Sequence, residues 1–147
     1  MPLYDDDFYA WTKHQATLLR AAKWQDLDYA NLAEEIESLG RSDRRQLKHR
    51  LEVLIMHLLK WQYQPEHRER GQSWRSTIRE QRNRIHDLLE DSPSLRPQVD
   101  TLNPQVYIQA RLRALDETKL DEAVIPTACP YTVAQVLDDA FWPDETD

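Results

Sequence analysis

Apolar residues recur along this chain at helical spacing and almost nowhere at the two-residue alternation of a strand. Phe8, Trp11, Gln15, Leu18, Leu19 and Ala22 line one face of a helix expected over residues 6–22. Asp28 is a good N-cap for a second helix, with Leu27 and Leu32 placed as a hydrophobic staple across it. Tyr29, Leu32, Ala33, Ile36 and Leu39 make its apolar face, and Gly40 is expected to end it in the left-handed conformation open to glycine. The longest helix is expected over residues 42–64, stopped by Pro65, with Leu47, Leu51, Leu54, Ile55, Leu58 and Trp61 on its main stripe. Between Val53 and Leu59 only His57 breaks the apolar run, so this helix is read as buried all round and central to the fold.

A polar loop over residues 65–72 leads to a fourth helix over 73–91, with Trp74, Ile78, Ile85, Leu88 and Leu89 on its core side. Ser92-Pro93 and Asn103-Pro104 each read as a helix opening with proline at the first position, the second of them starting a helix over 103–118. Thr132 with Gln135 forms a capping box for a short last helix, after which Phe141 and Trp142 are expected to pin the tail. The fold class is therefore all-α: a compact bundle of five to seven helices around a long central one at about residues 42–64. A tight helical pair is expected across Gly40, within one domain spanning residues 1–147.

Composition removes several function classes. Two glycines in 147 residues leave no Gly-rich phosphate loop. One cysteine, Cys129, makes no internal disulfide and has no zinc-spaced partners, so a reducing, cytoplasmic setting without metal or other cofactor is expected. The aspartate-rich start is unlike a signal peptide, and the longest wholly apolar run, Val53 to Met56, is far too short for a membrane span.

Charge changes the picture more. The net charge of −7 is segregated: residues 1–40 carry 3 Lys+Arg against 8 Asp+Glu, residues 41–84 carry 12 against 5, and residues 85–147 carry 4 against 13. Within the basic middle, Arg41, Arg44, Arg45 and Lys48 share a stripe of the third helix, and Arg75, Arg79, Arg82 and His86 make a tighter stripe on the fourth. Each stripe lies about 100° from its helix's apolar centre, on the rim of the buried face. Such a rim suits an anionic ligand, an acidic protein partner or a nucleic-acid backbone, with Trp61, Tyr63 and Trp74 near enough to stack on bases. It equally suits internal ion pairs with the acidic segments, and the negative total charge repels a polyanion at long range.

Two further polar residues stand out. Glu35 lies at the edge of the second helix's apolar face, where a rim salt bridge to an arginine is the plain reading. His57 sits inside the apolar stretch, as a satisfied core residue or as a base acting with Glu35 or an arginine. No glutamate has a histidine three residues on, so a helical di-iron site is not expected. Nothing here names a reaction, and a non-enzymatic interaction module with a protein partner is the leading expectation. Nucleic-acid binding through residues 41–84 and an enzyme using His57 are the alternatives.

Whole words of this sequence resemble a known family. Leu3-Tyr4 through Phe8-Tyr9-Ala10-Trp11, the run Asn31-Leu32-Ala33-Glu34-Glu35-Ile36-Glu37-Ser38-Leu39-Gly40, Leu58-Leu59-Lys60-Trp61-Gln62-Tyr63-Gln64-Pro65 and Trp74-Arg75-Ser76-Thr77-Ile78-Arg79-Glu80-Gln81-Arg82 carry the likeness. So do the stretches from Leu88 to Pro97 and Cys129 to Pro143, with a weaker match over Gln98 to Val124. These are similar to the bacterial family known as domain of unknown function 29. The resemblance implies a compact, helical, bacterial protein and carries over no catalytic residues.

Overall fold

The computed structural model describes residues 3–68 and 72–143, with the backbone alone at Gln72, Leu102 and Asn103. Among the described residues there are six α-helices and no strand. They are α1 (Leu3–Asp6), α2 (Phe8–Arg20), α3 (Tyr29–Tyr63), α4 (Gln72–Asp91), α5 (Arg96–Thr118) and α6 (Val133–Leu137), with short 3-10 turns at Trp24–Asp26, Pro65–His67 and Pro93–Leu95. The all-α expectation and its long helix are present. The polar loop expected over 65–72 falls partly outside the described residues. The chain forms two compact units, Met1–Ser42 and Asp43–Asp147.

In the first unit the expected helix over 6–22 is broken at Asp7, whose carboxylate accepts from the Ala10 amide at 3.1 Å and caps α2. An aspartate bonds its own backbone neighbours more readily than it continues a helix, and α1 and α2 part there. Asp28 is the polar hub of this unit. Its carboxylate accepts from Trp11 Nε1 at 3.0 Å and Asn31 Nδ2 at 2.8 Å, and its amide donates to the buried Gln15 side chain at 2.9 Å. The Asn31 and Trp11 hydrogen bonds hold the Asp28 carboxyl below the usual range, against a small opposing effect of desolvation. Tyr4, Phe8 and Trp11 pack ring to ring, at 4.8 to 5.7 Å between centroids.

These contacts reach α3 through Asp28, Asn31 and Glu35, the polar rim of its expected apolar face. The centre of that face is left open: Ile36 is 66% and Leu39 69% exposed, and Tyr29 and Ala33 are exposed too. Phe8 and Leu19, expected on the buried side of α2, are also exposed. The apolar spacing located both helices but overstated their burial, because α1 and α2 meet α3 along hydrogen-bonding residues.

Gly40 does not end a helix. α3 runs through it, its φ is not positive, and the pair of helices expected to turn there is one element. Strong helix formers stand on both sides, and an interior glycine costs only about 1 kcal/mol relative to alanine. The left-handed caps fall elsewhere. Ala22 (φ 56°) ends α2 in a Schellman motif, with Lys23 N–H on Leu18 O at 3.0 Å and Ala22 N–H on Leu19 O at 3.1 Å. Lys119 (φ 61°) ends α5.

The second unit holds the hydrophobic core. From Leu54 to Trp61 every residue of α3 except the half-buried His57 is buried, as the all-round apolar pattern requires. Ile78 and Ile85 of α4, Val106, Tyr107, Ala110 and Ala114 of α5, and Val136 and Leu137 of α6 close round it. Two ion pairs tie α3 to α5: Glu52 to Arg113 at 3.0 Å, and the buried Lys60 to Glu117 at 2.5 Å. The hydrogen bond from Lys60 is the main cause holding the Glu117 carboxyl below its ordinary range. Beyond α5, Arg111 clips the loop by donating to Ile125 O at 3.0 Å and Glu122 O at 2.6 Å. Tyr131 donates to Gln62 at 2.6 Å.

Asn103-Pro104 does not open a helix. Pro104 lies inside α5, which starts at Arg96 directly after the Pro93–Leu95 turn. Proline is disfavoured in a helix interior, by roughly 3 kcal/mol, and for that reason ordinarily marks a helix start. Here helix on both sides of it, anchored in the core by Val99 and Val106, overrides that preference.

Glycine and alanine are thus each placed where the other fits the backbone better. A Cβ added at Gly40 meets nothing within 4 Å. Gly40→Ala and Ala22→Gly are each expected to raise stability by about 0.5–1 kcal/mol in urea unfolding. A lowered midpoint for Gly40→Ala would show that the helix needs its glycine.

Candidate anion-binding site

The basic stripe of α4 divides into two halves. Arg82 is buried at 1% exposure, and its Nε donates to Val136 O at 2.9 Å and Nη2 to Gln135 O at 3.3 Å. His86 Nε2 donates to Leu137 O at 2.8 Å and lies 3.9 Å from Asp139. These three carbonyls lie in the last turn of α6, where a helix runs short of backbone donors and carries partial negative charge, although Gln135 O also accepts from the Asp138 amide at 3.2 Å. The other end of α6 has the expected capping box: Thr132 Oγ1 takes the Gln135 amide at 3.1 Å, and Gln135 Oε1 takes the Thr132 amide at 3.0 Å. A five-residue helix is unstable alone. This one is held from both ends. Burial lowers the Arg82 pKa, opposed by the neighbouring Asp139 and Asp138 carboxylates, and a guanidinium stays charged under such shifts.

Arg75 and Arg79, the first half of the stripe, are exposed and make no hydrogen bond or ion pair to any described residue. Arg75 is nevertheless held. Its Cζ lies 5.0 Å from the Trp61 ring centroid and 5.1 Å from that of Trp142, the two rings being 4.9 Å apart and tilted by 50°. Arg68 lies 4.9 Å over Trp61, donating from Nε to Trp61 O at 2.7 Å and from Nη2 to Pro143 O at 3.4 Å. Arg82 reaches the Trp142 ring at 5.7 Å. Three guanidiniums therefore surround two indoles. Stacking on a π face fixes an arginine's plane while its N–H edge stays available to a carboxylate or phosphate.

The other stripe is dispersed. Arg41 pairs with Glu34 at 3.0 Å in the first unit. In the second, Arg44 Nε donates to Gln98 at 2.8 Å, while Arg45 and Lys48 are exposed with no partner among the described residues. Of the rings named for base stacking, Trp61 is buried beneath guanidiniums, Trp74 faces Lys60 Nζ at 5.4 Å, and the half-buried Tyr63 packs on the core. Glu35 accepts from Tyr4 Oη at 3.1 Å, a tyrosine in place of the expected arginine.

His57 bonds back to Val53 O at 2.8 Å through Nδ1. A carbonyl only accepts, so Nδ1 carries the proton and Nε2 is the basic nitrogen of the neutral ring. Burial lowers its pKa, with the Val53 bond opposing. Open clefts among the described residues include one of about 300 Å³ lined by residues 22–26 and one of about 260 Å³ lined by Gln46, Arg50, Arg84, Asp87, Leu88 and Asp91; His57 lines neither of these. No group of three or more His, Cys, Asp or Glu side chains among the described residues could hold a metal. Among the described residues no helix is long and apolar enough to cross a membrane.

Arg68 lies outside both basic stripes, and Trp142 stands in the sequence as a packing residue. A signal was available: Trp142 is the last aromatic of an acidic segment, which suits it as a seat for arginines from the basic one.

The halves of the stripe should separate in mutation. Arg82→Met removes two bonds to buried carbonyls and is expected to cost about 2–4 kcal/mol in urea unfolding, while Arg79→Ala stays within about 0.5 kcal/mol. Equal effects would contradict the division. For His57, an NMR titration is expected to give a pKa below the ordinary 6.5. Because the folded value is depressed, the ring's stabilising contribution is complete above the unfolded pKa and is lost as pH falls towards the folded one. A value at or above the ordinary one would mean a hydrated ring.

No curated protein and no solved structure matches this chain. One family model does, that of "Domain of unknown function DUF29", over residues 3–142. With nearly the whole length matched, the chain belongs to the DUF29 family.

Proposed function

We propose that this protein is a non-enzymatic binding module that receives an anionic group of a protein partner on Arg75 and Arg79. One observation carries the reading: Arg75 is exposed, oriented by two indole rings, and engaged in no hydrogen bond or ion pair with a described residue. Holding an arginine in this way lowers the ordering cost when it binds a planar anion. Arg79, one helical turn on, adds a second charge to the same edge. The reading places the module in the bacterial cytoplasm, in keeping with its single cysteine and its family words.

Nucleic acid is the weaker occupant. The indoles that would stack on bases already carry guanidiniums, and the net charge of −7 opposes a long polyanion. The hydrogen bond described at His57 runs back to Val53 O of its own helix, which supports a structural reading over an enzymatic one.

The test is titration of the protein with a synthetic glutamate-rich peptide, followed by intrinsic tryptophan fluorescence, since Trp61 and Trp142 adjoin the site. Arg75→Glu/Arg79→Glu is expected to weaken binding at least about tenfold while the helical circular dichroism is unchanged. Undiminished binding by the variant overturns the reading. A single-stranded oligonucleotide that binds more tightly than the peptide, with steep salt dependence, would transfer the site to nucleic acid.

A further inference from the structure

Of the ten large hydrophobic side chains that the described residues leave exposed, seven belong to the unit Met1–Ser42. Three of them, Tyr29, Ile36 and Leu39, stand on α3, and apolar residues exposed together mark a site for another molecule. Tyr29, Ala33, Ile36 and Gly40 follow one another at i, i+4, i+7 and i+11, so they form one stripe that reads large, small, large, small. All four are exposed, and Leu39 borders them. Tyr29 is held in place, its hydroxyl donating to the Trp24 carbonyl. Gly40 is the telling member. An interior glycine destabilises a helix relative to alanine, yet neither a positive φ nor a crowded neighbour requires one here, since an added Cβ meets nothing within 4 Å. We propose that this face of α3 docks a basic amphipathic helix of a protein partner, whose backbone passes close over Gly40.

The gaps at Ala33 and Gly40 lie seven residues apart, about 10.5 Å along the axis, which is the repeat of like positions in a helix that packs by heptads. Side chains of such a helix seat in the two gaps, while Tyr29 and Ile36 enter gaps of its own. Charge fixes the partner's sign. Residues 29–40 hold three glutamates and no lysine or arginine. Glu35 is engaged by Tyr4, whereas Glu34 and Glu37 are exposed along one edge of the stripe. Glu34 meets Arg41 in an exposed pair that a partner's cation readily exchanges, and Glu37 has no ion pair with a described residue. A second copy of this chain fits less well, because it brings the same acidic segment, 3 Lys+Arg against 8 Asp+Glu over residues 1–40, against itself. None of these residues belongs to the anion site on α4, so the two surfaces stand or fall separately.

The full chain is titrated into a dye-labelled amphipathic peptide of leucine and lysine, read by fluorescence anisotropy, beside a second peptide with glutamate at every lysine. The expected result is binding of the lysine peptide alone, weakened at least about tenfold by Ile36→Ser/Leu39→Ser and about threefold by Glu34→Gln/Glu37→Gln. Gly40→Ala is expected to weaken binding at least about threefold while raising the urea midpoint, opposite signs that a purely structural glycine does not give. Arg75→Glu/Arg79→Glu is expected to bind no more weakly than wild type. Equal binding of both peptides, absence of binding, or undiminished binding by Ile36→Ser/Leu39→Ser overturns the docking site, and undiminished binding by Gly40→Ala removes the close approach. Sedimentation of the chain alone checks the other occupant: a dimer that Ile36→Ser/Leu39→Ser abolishes assigns the face to a second copy and overturns the basic partner.

Discussion

A buried guanidinium ties the last helix of this molecule to its core. Arg82 sits among the core residues of α4 and donates to two carbonyls at the end of α6, with His86 taking a third. Without those bonds α6 is five residues whose Val136 and Leu137 carbonyls are left open at the core. With them, α6 is placed, and the chain that follows delivers Phe141 and Trp142 to the core edge. Trp142 in turn supplies one of the two rings that hold Arg75. The exposed cation is thus positioned by the buried one, two turns further along the same helix face.

This arrangement explains how one stripe serves two purposes. An arginine at the rim of a helix turns inward where a neighbouring element offers carbonyls, and outward where it offers only π surface. Arg82 and His86 meet the end of α6, while Arg75 meets indoles and Arg79 meets neither. Part of the remaining basic charge is taken up elsewhere: Lys60 of α3 pairs with Glu117 of the acidic segment on α5. The basic segment is therefore partly internal, and only a few of its members face solvent without a described partner.

What the sequence made legible follows from how local each signal is. The all-round apolar run of α3, the α4 stripe and the Thr132–Gln135 capping box are read from residues a few positions apart, and all three are present. The errors came where a local signal met a tertiary one. Gly40 and Pro104 carry breaking propensities of a few kcal/mol at most, and helical neighbours on both sides outweighed them. At the site, spacing alone put four basic residues in line. It could not tell which would find carbonyls, because those carbonyls lie some fifty residues away. The apolar face of Tyr29, Ile36 and Leu39 was located correctly and its burial was not, since burial depends on which neighbour docks and along which edge.

That open face has a consequence for how the chain comes apart. Among the described residues of the unit Met1–Ser42 only Trp11 and Leu18 are buried hydrophobics, whereas the core cluster of twenty described residues lies in Asp43–Asp147. Opening free energy scales with apolar area removed from water, so the first unit is the low-stability region and the second the high-stability one. The molecule accordingly has two stabilities rather than one. Amide exchange and limited proteolysis would register the first unit's opening as a sub-global event, at conditions where the second unit remains intact.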